Sequence, residues 1–243
     1  MCYNLSMSVF ISVGIVILAM LIMASLQLVP GIFALFYHYA SGKYSEQAAS
    51  RLALFYILGV EIIAAFLFIA AFYVSYILFI NDLDPHNNIL TWIFVGVLIA
   101  LAFASFCLYY RHPHSKTSSE LFIPRKFAIS LDACARKAKS PSDAFALGAL
   151  SNIPELVFTL PLYIITATEI MYMHTEYLAD NFLTILYIVV SSIPLFIVYY
   201  SFRSGHTLAD VMRSRNRDKT FHRLCLSFSY LTIAILIICF RIV

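Results

Sequence analysis

Six apolar runs, each long enough to cross a bilayer, dominate this sequence and leave little room for any other kind of fold. They lie near residues 8–39, 51–80, 89–110, 143–171, 181–202 and 221–241, and a membrane-spanning helix needs about 20 mostly apolar residues. Of the 243 residues 62% are hydrophobic and 12% are charged, whereas an ordinary soluble domain is roughly 45–50% apolar. The expected class is therefore an all-α integral membrane protein with six transmembrane helices. No basic residue precedes the first run, and it is longer than the apolar core of a signal peptide, so it is expected to persist as a helix.

The distribution of Lys and Arg fixes the expected orientation. Fifteen of the sixteen basic residues fall in the first, third and fifth loops or at their helix ends, from Lys43 and Arg51 through Arg125 and Lys126 to Arg217 and Arg223. The alternate loops carry Asp82, Asp84, Glu176 and Asp180, with Arg241 alone near the far terminus. Under the positive-inside rule the odd loops are cytoplasmic, both termini lie outside, and the protein is multi-pass in the cell (inner or plasma) membrane. Topology alone accounts for the basic loops, so no nucleic-acid partner is expected. The partners implied are the lipid bilayer and a small-molecule or ion substrate, and the sequence is compatible with a homo-oligomer.

The chain divides into a first three-helix half, 1–110, a cytoplasmic loop, 111–142, and a second three-helix half, 143–243. Within the loop, the segment from Pro124 to Ser140 places Phe127, Leu131 and Cys134 at helical spacing opposite most of its basic residues, which predicts an amphipathic helix on the inner leaflet. Three helices on each side make the two halves enter the membrane from opposite faces, the geometry of an inverted repeat. Residues 26–35 can be laid on 150–159, matching Pro30 to Pro154, although 190–205 offers a competing match to 27–42. In the third run Gly96, Ala100 and Ala104 form a small-residue stripe, expected to pack closely against another helix.

The residues with chemistry gather at one depth. Glu61 lies 10 residues beyond Arg51 and Glu155 lies 12 beyond Asp143, which at helical rise is roughly 15 and 18 Å into the membrane. Gln27 and Pro30 of the first run, and Ser191, Ser192 and Pro194 of the fifth, reach the same level. An ionised carboxylate at a bilayer centre costs at least about 2.5 kcal/mol, so Glu61 and Glu155 are expected to face the bundle and to be protonated, to share a proton or to hold a cation. Breaks at Pro30–Gly31, Pro154 and Pro161 free backbone carbonyls that a wet cavity can satisfy. Asn152, Glu155, Thr159, Thr166 and Glu169 follow helical steps and would line one face of the fourth helix. The expected substrate- or ion-binding set is Glu155, Glu61, Asn152, Gln27 and Thr159.

Cysteine and histidine add little. The five cysteines include no C-x-x-C pair, and only Cys2 and Cys239 would share the outer side. His112 and His114 flank a proline in the third loop without nearby acids or cysteines, so no metal or cofactor is expected.

The segment 28–61, with Pro30, Gly31, Gly42, Lys43, Gly59 and Glu61, resembles the opening of the lysine-exporter (LysE-type) superfamily. Residues 145–158 are similar to the fourth-helix pattern of that superfamily through Gly148, Asn152, Pro154 and Glu155, with Ile153 inserted and an acid in place of the usual Lys. The resemblance implies six helices in two inverted halves and export from the cytoplasm. Reductant carriers of the same broad group need a cysteine in the first and fourth helices, and neither helix has one here.

The expected function is a non-enzymatic secondary transporter that exports an amino acid-like solute or a cation, coupled to protons or ion exchange through Glu155 and Glu61. Two alternatives remain at the level of sequence. One is a membrane enzyme acting on lipid through His112, His114, His206 and Asp210, and the other is a non-catalytic assembly partner in which the acids only pair helices.

Overall fold

The computed structural model describes residues 2–26, 45–80, 89–108, 130, 133–135, 137–153, 156–173, 177–203 and 219–242. Among these the chain is almost entirely helical and has no strand. The elements are α1 (Cys2–Leu26), α2 (Glu46–Ile80), α3 (Ile89–Leu108), α4 (Pro141–Ser151), α5 (Leu156–Tyr172), α6 (Tyr177–Arg203) and α7 (Lys219–Ile237), which runs on into a π-helical turn, Ile238–Ile242.

The all-α expectation is met, whereas the expected six spans are met only in part among the described residues. Two stretches, Gln47–Ile77 in α2 and Asn181–Tyr200 in α6, are long and apolar enough to cross a membrane, and α4 with α5 would make a third if the two count as one span. Val9–Ala24, Thr91–Phe106 and Leu224–Phe240 are shorter apolar helices. Large apolar side chains are turned outward on several helices, including Phe66, Phe103 and Val157, each about two-thirds exposed. An exterior this apolar suits lipid better than water.

The continuous span expected over 143–171 is two helices, α4 and α5, bent by 75° relative to each other. The break brackets Pro154, and a proline cannot supply the backbone hydrogen bond that a continuing helix requires. α4 starts sharply for a local reason. Ser140 is its N-cap in extended conformation, the Asp143 amide donates to Ser140 Oγ at 3.1 Å, and Asp143 Oδ2 accepts from the Ser140 amide at 3.0 Å and the Lys139 amide at 3.1 Å. Pro141 follows in the first turn, where its fixed φ suits a helix.

The tightest packing joins α2 to α4. A Cβ on Gly59 would fall on the carbonyl of Phe145, and a Cβ on Gly148 would fall on the carbonyl of Tyr56. Each glycine also faces a backbone amide of the other helix, Ala149 for Gly59 and Val60 for Gly148, so the contact is reciprocal, backbone on backbone. Further along, Asn152 Nδ2 donates to the Val60 carbonyl at 3.2 Å, and Ser75 Oγ donates to the Ile164 carbonyl at 3.3 Å and accepts from Thr168 Oγ1 at 3.1 Å. From Val60 with Asn152 to Ser75 with Ile164 the partner positions rise together, so α2 runs in the same sense as α5. Against α6 the pairing runs the other way: Ser50 bonds Tyr199 at 2.8 Å near the start of α2, and Phe68 stacks on Tyr187 further on.

α1 completes the core by packing on α5, α6 and α7. Its Ile15, Val16, Ala19, Ile22 and Met23 are buried, while Phe10, Ile17 and Leu21 face outward. α3 pairs chiefly with α7, where Ser227 Oγ donates to the Ala102 carbonyl at 3.0 Å. The small-residue stripe of α3 is not the packing surface expected of it within this chain. Gly96 and Ala100 are exposed, and a Cβ on Gly96 would meet nothing within 4 Å, because α3 turns Val95, Leu98, Ala102 and Ser105 inward instead.

Several sequence expectations fall outside the described residues: Gln27, Pro30 and Gly31 of the first run, Pro154 and Glu155 at the break, and most of the amphipathic segment 124–139. With them goes most of the 26–35 and 150–159 repeat match.

The glycine crossing gives a direct test. Gly59→Ala and Gly148→Ala should each destabilise the protein by roughly 1–3 kcal/mol or more, because the obstacle is backbone and cannot rotate away. Gly96→Ala should be neutral or slightly stabilising, since it adds a better helix former in open space. Thermal unfolding of the three variants in one detergent checks both outcomes. Removal of the cap in Ser140→Ala should cost about 1 kcal/mol by the same assay.

Candidate functional site

The α2–α4 crossing positions the site. Close approach of the two backbones lets Asn152, the C-cap residue of α4, reach the carbonyl of Val60. Asn152 is 6% exposed, so this bond satisfies one amide donor in a place that water does not reach. Glu61 is the next residue of α2. Both of its carboxyl oxygens are shielded from solvent, and neither has a hydrogen-bond partner among the described residues. An acid held this way either carries a proton or awaits a positive group, because an isolated buried carboxylate is strongly disfavoured.

Of the five residues expected to bind substrate or ion, the structure brings Glu61 and Asn152 to adjoining positions across one helix interface. Thr159 is buried in α5 beyond the break, 4% exposed, and no hydrogen bond ties it to Glu61. Gln27 and Glu155 lie outside the described residues. Among the expected helix breaks, Pro161 sits inside the continuous helix α5, as Pro194 does in α6, so neither interrupts its helix. Ser191 and Ser192, at the expected polar level, give their hydroxyls to the Ile188 and Val189 carbonyls of their own helix at 2.8–3.2 Å. They are helix-internal bonds rather than site groups.

Two features have weaker sequence signals. Glu169, 4% exposed in α5, accepts from Ser12 Oγ of α1 at 2.7 Å, which links helices far apart in the chain. Its place on the polar stripe of the fourth run was legible, but its partner was not. Phe68, Tyr163 and Tyr187 form an aromatic cluster between α2, α5 and α6, with ring centroids 5.0–6.0 Å apart. No group of three or more His, Cys, Asp or Glu side chains with metal-binding geometry occurs among the described residues. Cys134, Cys225 and Cys239 are free and exposed.

Comparison with protein-family models, curated proteins and solved structures finds no match to this chain. The class of protein that the fold defines is thus a bundle of apolar helices, and the functional reading rests on the site.

Two substitutions separate the groups in the site by their energetics. Glu61→Leu removes two solvent-shielded oxygens that have no partner among the described residues, so it should raise stability by roughly 1–3 kcal/mol. Ser12→Ala breaks a bond between two buried groups and should lower stability by roughly 1–3 kcal/mol. Opposite shifts in melting temperature for the two variants are the expected result.

Proposed function

We propose that this chain is a six-helix secondary transporter of the cell membrane, built from two inverted three-helix halves, which exports an amino acid-like small solute or a cation. Movement of the solute is coupled to protons or to ion exchange through Glu61, with Glu155 as the second acid at that level. The observation that carries this reading is the solvent-shielded carboxyl of Glu61, which has no hydrogen-bond partner among the described residues and lies beside a broken pair of helices. A purely structural acid would have its oxygens satisfied. A transport site keeps a group able to gain and lose a positive charge, placed where the backbone is interrupted.

The directions of the helices support the reading. α2 runs in the same sense as α5 and antiparallel to α6, as it would if spans two, four and five alternate through a membrane with the basic loops on the cytoplasmic face. Gly59 and Gly148, two of the residues on which the resemblance to the lysine-exporter superfamily rests, are the two that meet. A solute with a positive group fits the shielded Glu61 carboxyl better than one with a negative group. The lipid-enzyme alternative draws on His112, His114, His206 and Asp210, all outside the described residues, and no described feature favours it.

The test is a thermal-shift screen of the purified protein against amino acids and monovalent and divalent cations at several pH values, followed by efflux from proteoliposomes. A ligand at about 100 times its dissociation constant should stabilise the wild type by roughly 2.7 kcal/mol. Glu61→Gln should abolish both the shift and the pH dependence of efflux. Transport that proceeds at the wild-type rate and pH profile in Glu61→Gln would rule out the coupling assignment.

A further inference from the structure

Beyond the break, α5 turns a second polar group into the core. Thr166, fully buried, lies one turn before Glu169 on the same helix face, and Glu169 is bonded to Ser12 of α1. Across the interface, Tyr187 of α6 lies against Thr166, with Tyr163 of α5 and Tyr230 of α7 close by. Tyr187 and Tyr230 are also fully buried. The hydroxyl oxygens of Thr166, Tyr187 and Tyr230 are all closed off from solvent, and none forms a hydrogen bond of acceptable geometry with a described residue. Phe68 of α2 walls the cluster by stacking on the Tyr163 and Tyr187 rings.

Three buried hydroxyls that close no well-formed hydrogen bond among the described residues, Thr166 and Tyr187 only reaching toward each other, are not what packing alone selects. Interiors satisfy nearly all such groups, and ordered water is the usual partner where the protein offers none. Phenylalanine and valine would fill the same space without any polar cost.

We propose that Thr166, Tyr187 and Tyr230, closed on one side by the Ser12–Glu169 pair, hold internal water, and that this hydrated site relays protons to and from the Glu169 carboxyl. In each transfer a hydrated proton breaks one O–H bond at water and forms one at a Glu169 oxygen, or the reverse, with the hydroxyls re-donating in sequence and nothing oxidised or reduced. The ionisable groups that surround the site are the phenols of Tyr163 on α5, Tyr187 on α6 and Tyr230 on α7. α1 contributes the Ser12 hydroxyl and α2 the Phe68 ring. The water site stands by itself, whereas its relay role rests on the transport reading and names the proton as the coupling ion.

The experiment uses the full chain in lipid nanodiscs and proteoliposomes. Tyr187→Phe, Tyr230→Phe and Thr166→Val keep the shape of each side chain and remove only its hydroxyl. If the hydroxyls hold water, each variant melts several degrees below the wild type, and the Tyr187→Phe/Thr166→Val pair loses less than the sum of the two. Melting temperatures equal to or above the wild type overturn the water site, since deleting an unsatisfied hydroxyl relieves the protein. Under an imposed pH gradient, Tyr187→Phe and Glu169→Gln should lose most of the proton flux while the solute-induced thermal shift at Glu61 remains. Lowered melting temperatures with undiminished flux overturn the relay. A wild type that moves no protons at all refutes the transport reading and the relay with it, and leaves the water site to be decided by the melting temperatures.

Discussion

Everything described around the site depends on the reciprocal contact between Gly59 and Gly148. Side chains normally hold two helices about 8–10 Å apart. Here the absence of both Cβ atoms lets each helix set its backbone against a carbonyl and an amide of the other. Close dispersion contact of this kind is a source of helix affinity, and small residues are what permit it. The contact fixes α4 on α2, so Asn152 at the end of α4 can reach the Val60 carbonyl, and the chain that follows must leave at an angle to form α5. Glu61, one residue beyond Val60, inherits its position from that arrangement.

The polar residues of the bundle divide by what their hydrogen bonds do. Ser191, Ser192 and Thr232 return their hydroxyls to carbonyls of their own helices, which hides a polar group at little cost and does nothing else. Ser75 with Thr168, Ser227 with Ala102, and Ser50 with Tyr199 tie one helix to another. Among the described residues, Glu61, Ser105, Thr166, Tyr187 and Tyr230 have oxygens that do neither. An unpaired oxygen shielded from solvent is either a persistent cost or a place for something that comes and goes.

Much of the broad architecture was legible, and the reason is simple. Run length and apolarity speak directly about helices in lipid, and α2 and α6 appear close to where their runs predict. The polar stripe of the fourth run is also real as a buried face, since Asn152, Thr159, Thr166 and Glu169 are all at most 6% exposed. Helix contacts were much less legible. Of the small-residue stripe of α3, Gly96 and Ala100 face outward and only Ala104 packs on the core, while the contact that organises the bundle uses one glycine from each of two helices, a signal too sparse to identify as a stripe. Nothing in the sequence pairs Ser12 with Glu169, 157 residues away.

By itself the sequence determined the helical class, the excess of apolar side chains, the rarity of acids within the apolar runs and the place of Pro154 in the fourth run. Only the tertiary structure decided which face of each helix turns inward and which polar atoms are left unsatisfied. In water an amphipathic pattern gives the inward face away. Here α1 is apolar all round: Ile15 is buried and Ile17 is half exposed with the same chemistry, because lipid and protein interior make the same demand of both. The neighbouring helices supply the difference, and with it the distinction between a serine that merely bonds its own backbone and a carboxyl that waits for a partner.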